Sequence, residues 1–276
     1  VFLTYTRTLP MHSKFLSRRK KNSSHKEETS WDCIASSYNK IVQDKGHYYH
    51  RETILPQLLP SLTLGSKSSV LDIGCGQGFL ERALPKECRY LGIDISSRLI
   101  ALAKKMRSVN SHQFKVADLS KRLEFVEPTL FSHAVAILSL QNMEFPGEAI
   151  RNTATLLEPL GQFFIVLNHP CFRIPRASSW HYDENKKAIS RHIDRYLSPM
   201  KIPIMAHPGQ KDSPSTLSFH FPLSYWFKEL SSHGFLVSGL EEWTSSKTST
   251  GKRAKAENLC RKEFPLFLMI SCIKIK

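Results

Sequence analysis

The sequence predicts an α/β fold in which helices cover both faces of a doubly wound, parallel sheet. Three observations predict it. Short apolar runs of strand type alternate with amphipathic helical segments between residues 70 and 167, which is the order of βαβ units. The first of these runs ends in a cluster of glycines, as a buried parallel strand does where it turns. The chain has 276 residues, 41% of them apolar, and can therefore build a sizeable core.

The amino-terminal part of the chain divides into a tail and a helical region. Residues 1–29 are polar and basic and lack apolar periodicity, so we expect a disordered tail. Apolar residues recur at helical spacing over 31–42 and again over 50–59. We therefore predict a helical cover over residues 30–64.

The central elements follow in chain order from the change between strand and helix periodicity. We predict strands over 70–74, 90–95, 113–117, 133–138 and 161–167, and helices from about Phe79, over 97–106 and over 149–157.

The alternation stops at residue 168. Residues 168–222 hold seven of the fifteen prolines and show no clear periodicity. Such a segment is too rich in proline and aromatic residues for a linker, so we predict an insertion packed onto the domain. A helix over 223–232 and strands over 235–243 and 264–275 complete the chain, which makes residues 30–276 one domain.

The charge and the cysteines limit the possible partners and the compartment. The net charge of +15 is concentrated in residues 1–30, 168–211 and 247–276, and it could attract nucleic acid, anionic lipid or an acidic small substrate.

The six cysteines show neither CxxC pairs nor metal-finger spacing, and the histidines show neither HxH nor HExxH spacing, so we expect reduced thiols and no metal. No apolar run reaches membrane length, and the first residues do not form a secretory signal. We expect a cytoplasmic protein.

The glycine-rich run carries the functional information. Residues 72–78 read Asp-Ile-Gly-Cys-Gly-Gln-Gly at the end of the first predicted strand. Glycine lets the chain turn tightly and lets a ligand approach the main chain. Asp94 ends the second strand, where a carboxylate can accept both hydroxyls of a ribose. A dinucleotide site needs a third glycine where Phe79 stands, so a nicotinamide oxidoreductase is the least favoured nucleotide-binding alternative.

The run LDIGCGQG with the later GID resembles the cofactor signature of class I S-adenosylmethionine-dependent methyltransferases. The resemblance extends from Trp31 to Lys276, and its entrance helix is similar to that of the subgroup that acts on small molecules. It implies the Rossmann-like methyltransferase fold, with a seven-stranded, mostly parallel sheet. The last strand would be antiparallel and would lie between the fifth and sixth strands; residues 267–274 are the candidate.

The resemblance also implies a site for S-adenosylmethionine. Asp72 would steady the methionine half, Asp94 would bind the ribose, Asp118 would lie near the adenine and Tyr38 would form a lid. The full set of expected cofactor residues is Tyr38, Asp72, Gly74, Cys75, Gly76, Gly78, Asp94, Ile95, Asp118, Leu119 and Leu138.

Substrate contacts are expected after the fourth and fifth strands, where the fold delivers the methyl group. His169 is the candidate general base, since imidazole titrates near neutral pH; a hydrogen-bonded structural histidine is the alternative. Arginines in the insertion are suited to carboxylate or phosphate, and its aromatic and histidine rings are suited to a flat substrate. The candidate substrate residues are Gln141, Asn142, Asn168, Arg173, Arg176, His207 and His220.

Three functions remain open. The segment after the fourth strand lacks the Asn-Pro-Pro-aromatic or Asp-Pro-Pro-aromatic turn of enzymes that methylate exocyclic amines of bases. We therefore predict an S-adenosylmethionine-dependent methyltransferase acting on a small, ring-containing and anionic molecule. The alternatives are an RNA methyltransferase that uses the basic tail and a non-catalytic module that binds S-adenosylmethionine.

Overall fold

The computed structural model describes residues 29–42, 46–123, 125, 127, 129–205, 213 and 215–275. The described strands are β1 (Ser69–Ile73), β2 (Arg89–Asp94), β3 (Gln113–Val116), β4 (Phe131–Ile137), β5 (Leu157–Asn168), β6 (Ser178–Asp183), β7 (Ala188–Ile193), β8 (Met200–Met205), β9 (Ser215–His220), β10 (Phe235–Trp243) and β11 (Phe267–Lys274). The described α-helices are α1 (Ser30–Val42), α2 (Leu55–Ser61), α3 (Ser97–Met106), α4 (Pro146–Leu156), α5 (Leu223–Ser232) and α6 (Ala254–Glu263). A π-helical turn, His50–Ile54, leads into α2.

Seven strands form one sheet in the order β10-β11-β5-β4-β1-β2-β3. Strand β1 pairs in parallel with β2 and β4, and β11 runs antiparallel to both β5 and β10. The predicted seven-stranded sheet is therefore confirmed, including the antiparallel last strand between the fifth and sixth. Because β1 to β4 are parallel, their carboxyl ends meet at one edge of the sheet.

Both faces of the sheet are buried. Two neighbouring residues of β5 belong to two different hydrophobic clusters. Ile165 lies in the cluster that contains Trp226 of α5. Val166 lies in the cluster that contains Leu58 of α2 and Ala103 of α3. All of these side chains are buried. Side chains of a strand alternate between faces, so a strand covered on both sides becomes a continuous apolar run, as the sequence showed.

The helix predicted from about Phe79 does not form. The chain makes a turn and one 3₁₀ turn, Glu81–Ala83, before β2 begins at Arg89. Pro85 has no N–H group and disfavours helical backbone at the preceding residue, and Leu84 is accordingly extended, with φ −84° and ψ 157°.

A buried carboxylate holds this turn in place. Glu81 is fully buried and accepts hydrogen bonds from the backbone N–H groups of Ser108 and Val109. Its Oε1 lies 2.7 Å from Nδ1 of His112, whose Nε2 lies 2.8 Å from the carbonyl oxygen of Cys88. Glu81 therefore links the segment after the glycine-rich run to the loop before β3.

The insertion contains two β-hairpins that the periodicity did not predict, β6–β7 and β8–β9. Most residues of β6 and β7 are exposed or half-buried, so these strands lack the apolar alternation that reveals strands in a sequence. Strand β9 packs against α1 and the loop after β4, which brings the second hairpin to the sheet edge. No helix among the described residues is long and apolar enough to cross a membrane.

Candidate cofactor and substrate site

A cavity of about 480 Å³ opens at the carboxyl edge of the sheet. Its floor is formed by the ends of β1, β2 and β4, and α1 and β9 cover it. Eight of the eleven predicted cofactor residues lie in its wall: Tyr38, Gly74, Gly76, Asp94, Ile95, Asp118, Leu119 and Leu138.

The glycine-rich run makes a tight turn directly below the cavity. Gly74 has φ +70°, and a Cβ atom there would lie 2.5 Å from Cβ of Ser139. The N–H groups of Gly74 and Cys75 donate to the carbonyl oxygen of Ile93, which fixes the turn to β2. Gly76 has φ +55°, and its nearest neighbour would be the Tyr38 ring at 3.7 Å. The backbone of Gly76 is therefore open to a ligand on the cavity side.

Asp94 presents a carboxylate with acceptor capacity left over. Its Oδ2 accepts the Gly76 N–H and its Oδ1 accepts the Ser96 N–H, both at 2.9 Å. A carboxylate has about four lone-pair sites, and the Ile95 N–H is a third, weaker donor to this one, so acceptor capacity remains for ligand hydroxyls. Burial, with the charge of Asp32, raises the pKa of Asp94 to about 6. The residues present thus fit the ribose of the predicted cofactor.

Asp118 lies at the far end of the same wall. Its Oδ1 accepts the N–H of Ser120 at 3.0 Å, and Lys121 pairs with its Oδ2 at 3.1 Å. Burial alone would raise the pKa of Asp118, but the bonds from Ser120 and Lys121 outweigh it and leave the pKa lowered. Asp118 is therefore a fixed, ionised acceptor.

Three predicted cofactor residues lie beneath the turn instead of in the cavity wall. Asp72 is buried and accepts the Tyr90 hydroxyl at 2.7 Å, and burial raises its pKa to about 7. Cys75 is buried as well. A Cβ atom on Gly78 would lie 2.9 Å from the Phe114 ring. The structure thus gives these residues contacts that shape the turn from below.

Two predicted substrate residues, Gln141 and Asn142, do line the cavity. Oε1 of Gln141 accepts the Asn168 N–H at 2.7 Å, and Nδ2 of Asn142 donates to the carbonyl oxygen of Leu138 at 2.9 Å. Asn168, Arg173 and His220 instead border a small second cavity of about 20 Å³, which shares Gln141 with the first.

His169 is not placed as a general base. It is buried, the Cys171 N–H donates to its Nδ1 at 3.2 Å, and its Nε2 lies 2.7 Å from Oε1 of Glu242. Both ring nitrogens are therefore occupied, and the ring lines neither cavity. The expectation of a catalytic His169 is corrected to the structural alternative.

Arg176, another predicted substrate residue, lines neither cavity. Arg176 is exposed, with φ +61°, and its Nη2 donates to the carbonyl oxygen of Pro203 at 3.2 Å. The Arg176 side chain therefore contacts β8, and the structure does not place it at either cavity. His207 lies outside the described residues.

Sequence reasoning missed Asp32, which fixes α1 over the cavity. Its Oδ1 accepts the Ser96 hydroxyl at 2.7 Å and the Arg98 N–H at 3.0 Å, and its Oδ2 accepts the Thr29 N–H at 2.9 Å. Burial opposes ionisation, but these hydrogen bonds outweigh it and lower the pKa of Asp32 to about 2. The Thr-x-x-Asp spacing of Thr29 and Asp32 is a helix-capping signal that could have indicated it.

Sequence reasoning also missed a group of mainly apolar and aromatic side chains in the cavity wall. His50 stacks on Phe79 at 4.1 Å, and burial lowers the pKa of His50 to about 4, so its ring is neutral. The remaining members are Trp31, His47, Met143, Glu144, Leu217 and Phe219. This wall is apolar and aromatic over much of its area, and short-range sequence patterns do not bring such scattered residues together.

Comparison with known proteins agrees with this geometry. Residues 46–200 match the family model described as "Methyltransferase domain". A ubiquinone biosynthesis O-methyltransferase of Coxiella burnetii is 31% identical over 106 residues, which are 37% of this chain and 44% of that protein. The chain thus spans less than half the length of the curated relatives it matches.

Solved structures show the same fold. An S-adenosylmethionine-dependent methyltransferase from Mesorhizobium loti superposes with a TM-score of 0.60 at 24% identity, over 78% of this chain and 95% of that one. Another from Clostridium acetobutylicum gives a TM-score of 0.57 at 13% identity, over 89% and 99% of the two chains.

The fold and the cavity together define a class I S-adenosylmethionine-dependent methyltransferase, and the predicted class and cofactor are confirmed. Since the family model covers more than half of the sequence, the chain belongs to the methyltransferase-domain family.

Proposed function

We propose that this protein transfers a methyl group from S-adenosylmethionine to a small, ring-containing and anionic molecule. The observation that carries the proposal is a cavity lined both by the glycine turn with Asp94 and by apolar and aromatic side chains. Its volume of about 480 Å³ falls within the roughly 300–1,000 Å³ of small-molecule sites. A relative named for O-methylation in ubiquinone biosynthesis supports a small acceptor.

We assign the cofactor to one end of the cavity and the methyl acceptor to the other. Asp94 would hold the ribose, Asp118 the adenine side and the Gly76 backbone the methionine half of the cofactor. The acceptor would lie between Gln141, Asn142 and the wall that contains His50. We propose that the cover of residues 30–64 and the insertion of residues 168–222 cap these two ends.

Methyl transfer mainly requires that the protein align the acceptor with the methyl group of the cofactor. The cofactor supplies an activated methyl group, and the chain contributes orientation and exclusion of water. Tyr38 suits this work because burial raises its pKa well above the usual range, so its hydroxyl stays protonated beside Gly76. Asn142 and Gln141 can orient an acceptor through amide groups. No metal-binding group of three or more side chains occurs in the described part of the chain.

Isothermal titration with S-adenosylmethionine, and with NADH as a comparison, tests the proposal first. We expect S-adenosylmethionine to bind and NADH not to bind, and we expect adenosylhomocysteine to be released when a ring-containing acceptor is supplied. Binding without release for any acceptor would support the non-catalytic module. Steeply salt-dependent binding of RNA would support the RNA alternative, whose basic tail lies outside the described residues.

The variant Asp94→Ala should weaken binding of S-adenosylmethionine by about 1–3 kcal/mol, because two ribose hydroxyls lose a buried acceptor. Titration calorimetry measures the change. Asp183→Ala is the control, since Asp183 is the last residue of β6, next to the turn of the β6–β7 hairpin, and lines neither cavity. An unchanged affinity in the Asp94 variant would remove this residue from the site.

Binding should also depend on pH through the same carboxylate. The pKa of Asp94 is about 6, and the groups that face it are Asp32, Asp72, Tyr38 and Cys75. Above pH 6 the ionised form accepts both hydroxyls. Below it, protonation removes an acceptor, and the affinity should fall by up to about tenfold per pH unit.

Titrations between pH 7 and pH 5 measure this slope. Asp94→Asn cannot ionise and should bind more weakly at pH 7 with little further loss on acidification. A slope that is equally steep in the asparagine variant would assign the titration to another group.

A further inference from the structure

Three cationic side chains that lie next to aromatic rings form no ion pair with any described residue: Arg173, Arg191 and Lys247. Arg173 borders the second cavity. Other cations of the insertion differ. Lys201 pairs with Glu144 at 2.9 Å, and Arg195 is fully at the surface. We call the three residues the cation cluster.

Contacts between aromatic rings connect the cation cluster to the cavity. His47 lines the cavity, and its ring centre lies 5.8 Å from that of Tyr49. Tyr49 packs edge-on against Phe267 at 5.7 Å. Cζ of Arg173 lies 5.3 Å from the centre of the Phe267 ring, and Nζ of Lys247 lies 5.1 Å from the centre of the Tyr49 ring. Two of the three cations therefore border the same pair of rings, next to the His47 ring that lines the cavity.

Arg191 is held in a fixed orientation. Its Nε donates to the carbonyl oxygen of Phe172 at 2.8 Å, its Nη2 donates to the hydroxyl of Ser178, and its guanidinium lies 4.7 Å from the centre of the Trp180 ring. Arg173 shows no side-chain hydrogen bond to a described residue and is only half-exposed. Its N–H donors are thus available to a ligand.

The positive charges of Arg173 and Arg191 repel each other, and a bound anion could offset this electrostatic cost. Burial, with the charge of Arg191, lowers the pKa of Arg173, and burial also lowers the pKa of Arg191. A partly buried charge without a counter-ion is unfavourable. An oxyanion would supply the missing negative charge and match the planar donors of arginine.

We infer that Arg173, supported by Arg191 and Lys247, binds a carboxylate or phosphate group carried by the methyl acceptor. The inference rests on the proposed function, because it assigns one end of the acceptor to Arg173, which borders the small second cavity that shares Gln141 with the first. It assigns the anion to the cation cluster and leaves the other basic residues of the insertion without this role.

Titration calorimetry with benzoate and with inorganic phosphate, at low salt and with S-adenosylmethionine present, tests the inference. We expect the wild-type chain to bind at least one anion, and the stronger of the two identifies the group as carboxylate or phosphate. Arg173→Gln should weaken that binding by at least about tenfold. The matched control Arg195→Gln removes the same charge from an exposed site and should bind as the wild type does.

Two results would overturn the inference: equal anion affinity in Arg173→Gln and wild type, or no binding of either anion by the wild type. If Arg173→Gln fails to fold, exposed Lys247→Gln decides, with a several-fold loss expected and an unchanged affinity contradicting it. Affinity for S-adenosylmethionine should be the same in all variants. Absence of that binding in the wild type would defeat the proposed function, whereas loss of anion binding alone would defeat only the cation cluster.

Discussion

Replacing Gly74 with alanine should destabilise the protein by about 2–6 kcal/mol and weaken S-adenosylmethionine binding at least about tenfold. Two costs combine. The backbone at Gly74 is left-handed, with φ +70°, which costs a residue with a side chain about 1–3 kcal/mol. The added Cβ would lie 2.5 Å from Cβ of Ser139, and such overpacking costs about 1–3 kcal/mol more. Urea unfolding and calorimetric titration measure the two effects.

Gly251→Ala separates these two costs. Gly251 is also left-handed, with φ +93°, but no atom lies within 4 Å of an added Cβ. This control should show the backbone cost alone and bind the cofactor as the wild type does. Equal losses in the two variants would mean that the contact with Ser139 contributes nothing and that the turn tolerates a side chain.

The comparison of Gly74 with Gly78 shows why the motif could be predicted and its detailed geometry could not. Both glycines have positive φ, and both would collide with a neighbour if they carried a Cβ. Gly74 faces Ser139 at the cavity, whereas Gly78 faces Phe114 beneath the turn. The spacing of glycines indicates a tight turn, but which side of that turn a residue faces depends on contacts with β3 and β4.

The same limit explains the mixed outcome for the substrate residues. Gln141 and Asn142 directly follow a strand end, and the strand order alone places them at the cavity. His169 also follows a strand end, yet its ring turns to Glu242, which comes 73 residues later in the chain. A side chain that has a distant partner cannot be oriented from local sequence. The hairpins of the insertion escaped prediction because their exposed strands bury too little to show a pattern.

Removing the buried carboxylate of Glu81 should cost about 3–5 kcal/mol of folding free energy. Glu81→Ala leaves the buried His112 ring without its partner and removes the acceptor of the Ser108 and Val109 N–H groups. Removing one partner from a buried, hydrogen-bonded carboxylate cluster has this magnitude, because the desolvated partner remains without its hydrogen bond. Urea denaturation measures the change, and the m-value should be unchanged if only stability is altered.

Glu87→Ala is the matched control, since it removes the same side chain from an exposed position on the same segment; its effect should lie within about 0.5 kcal/mol. A loss in Glu81→Ala as small as in the control would show that water replaces the carboxylate. A large loss would show that the segment after the glycine turn depends on one buried carboxylate for its position. This segment is short and contains Pro85, so it does not fold as a helix. Because that segment continues directly from Gly78, the stability of this single cluster also limits how rigidly the cofactor turn is held.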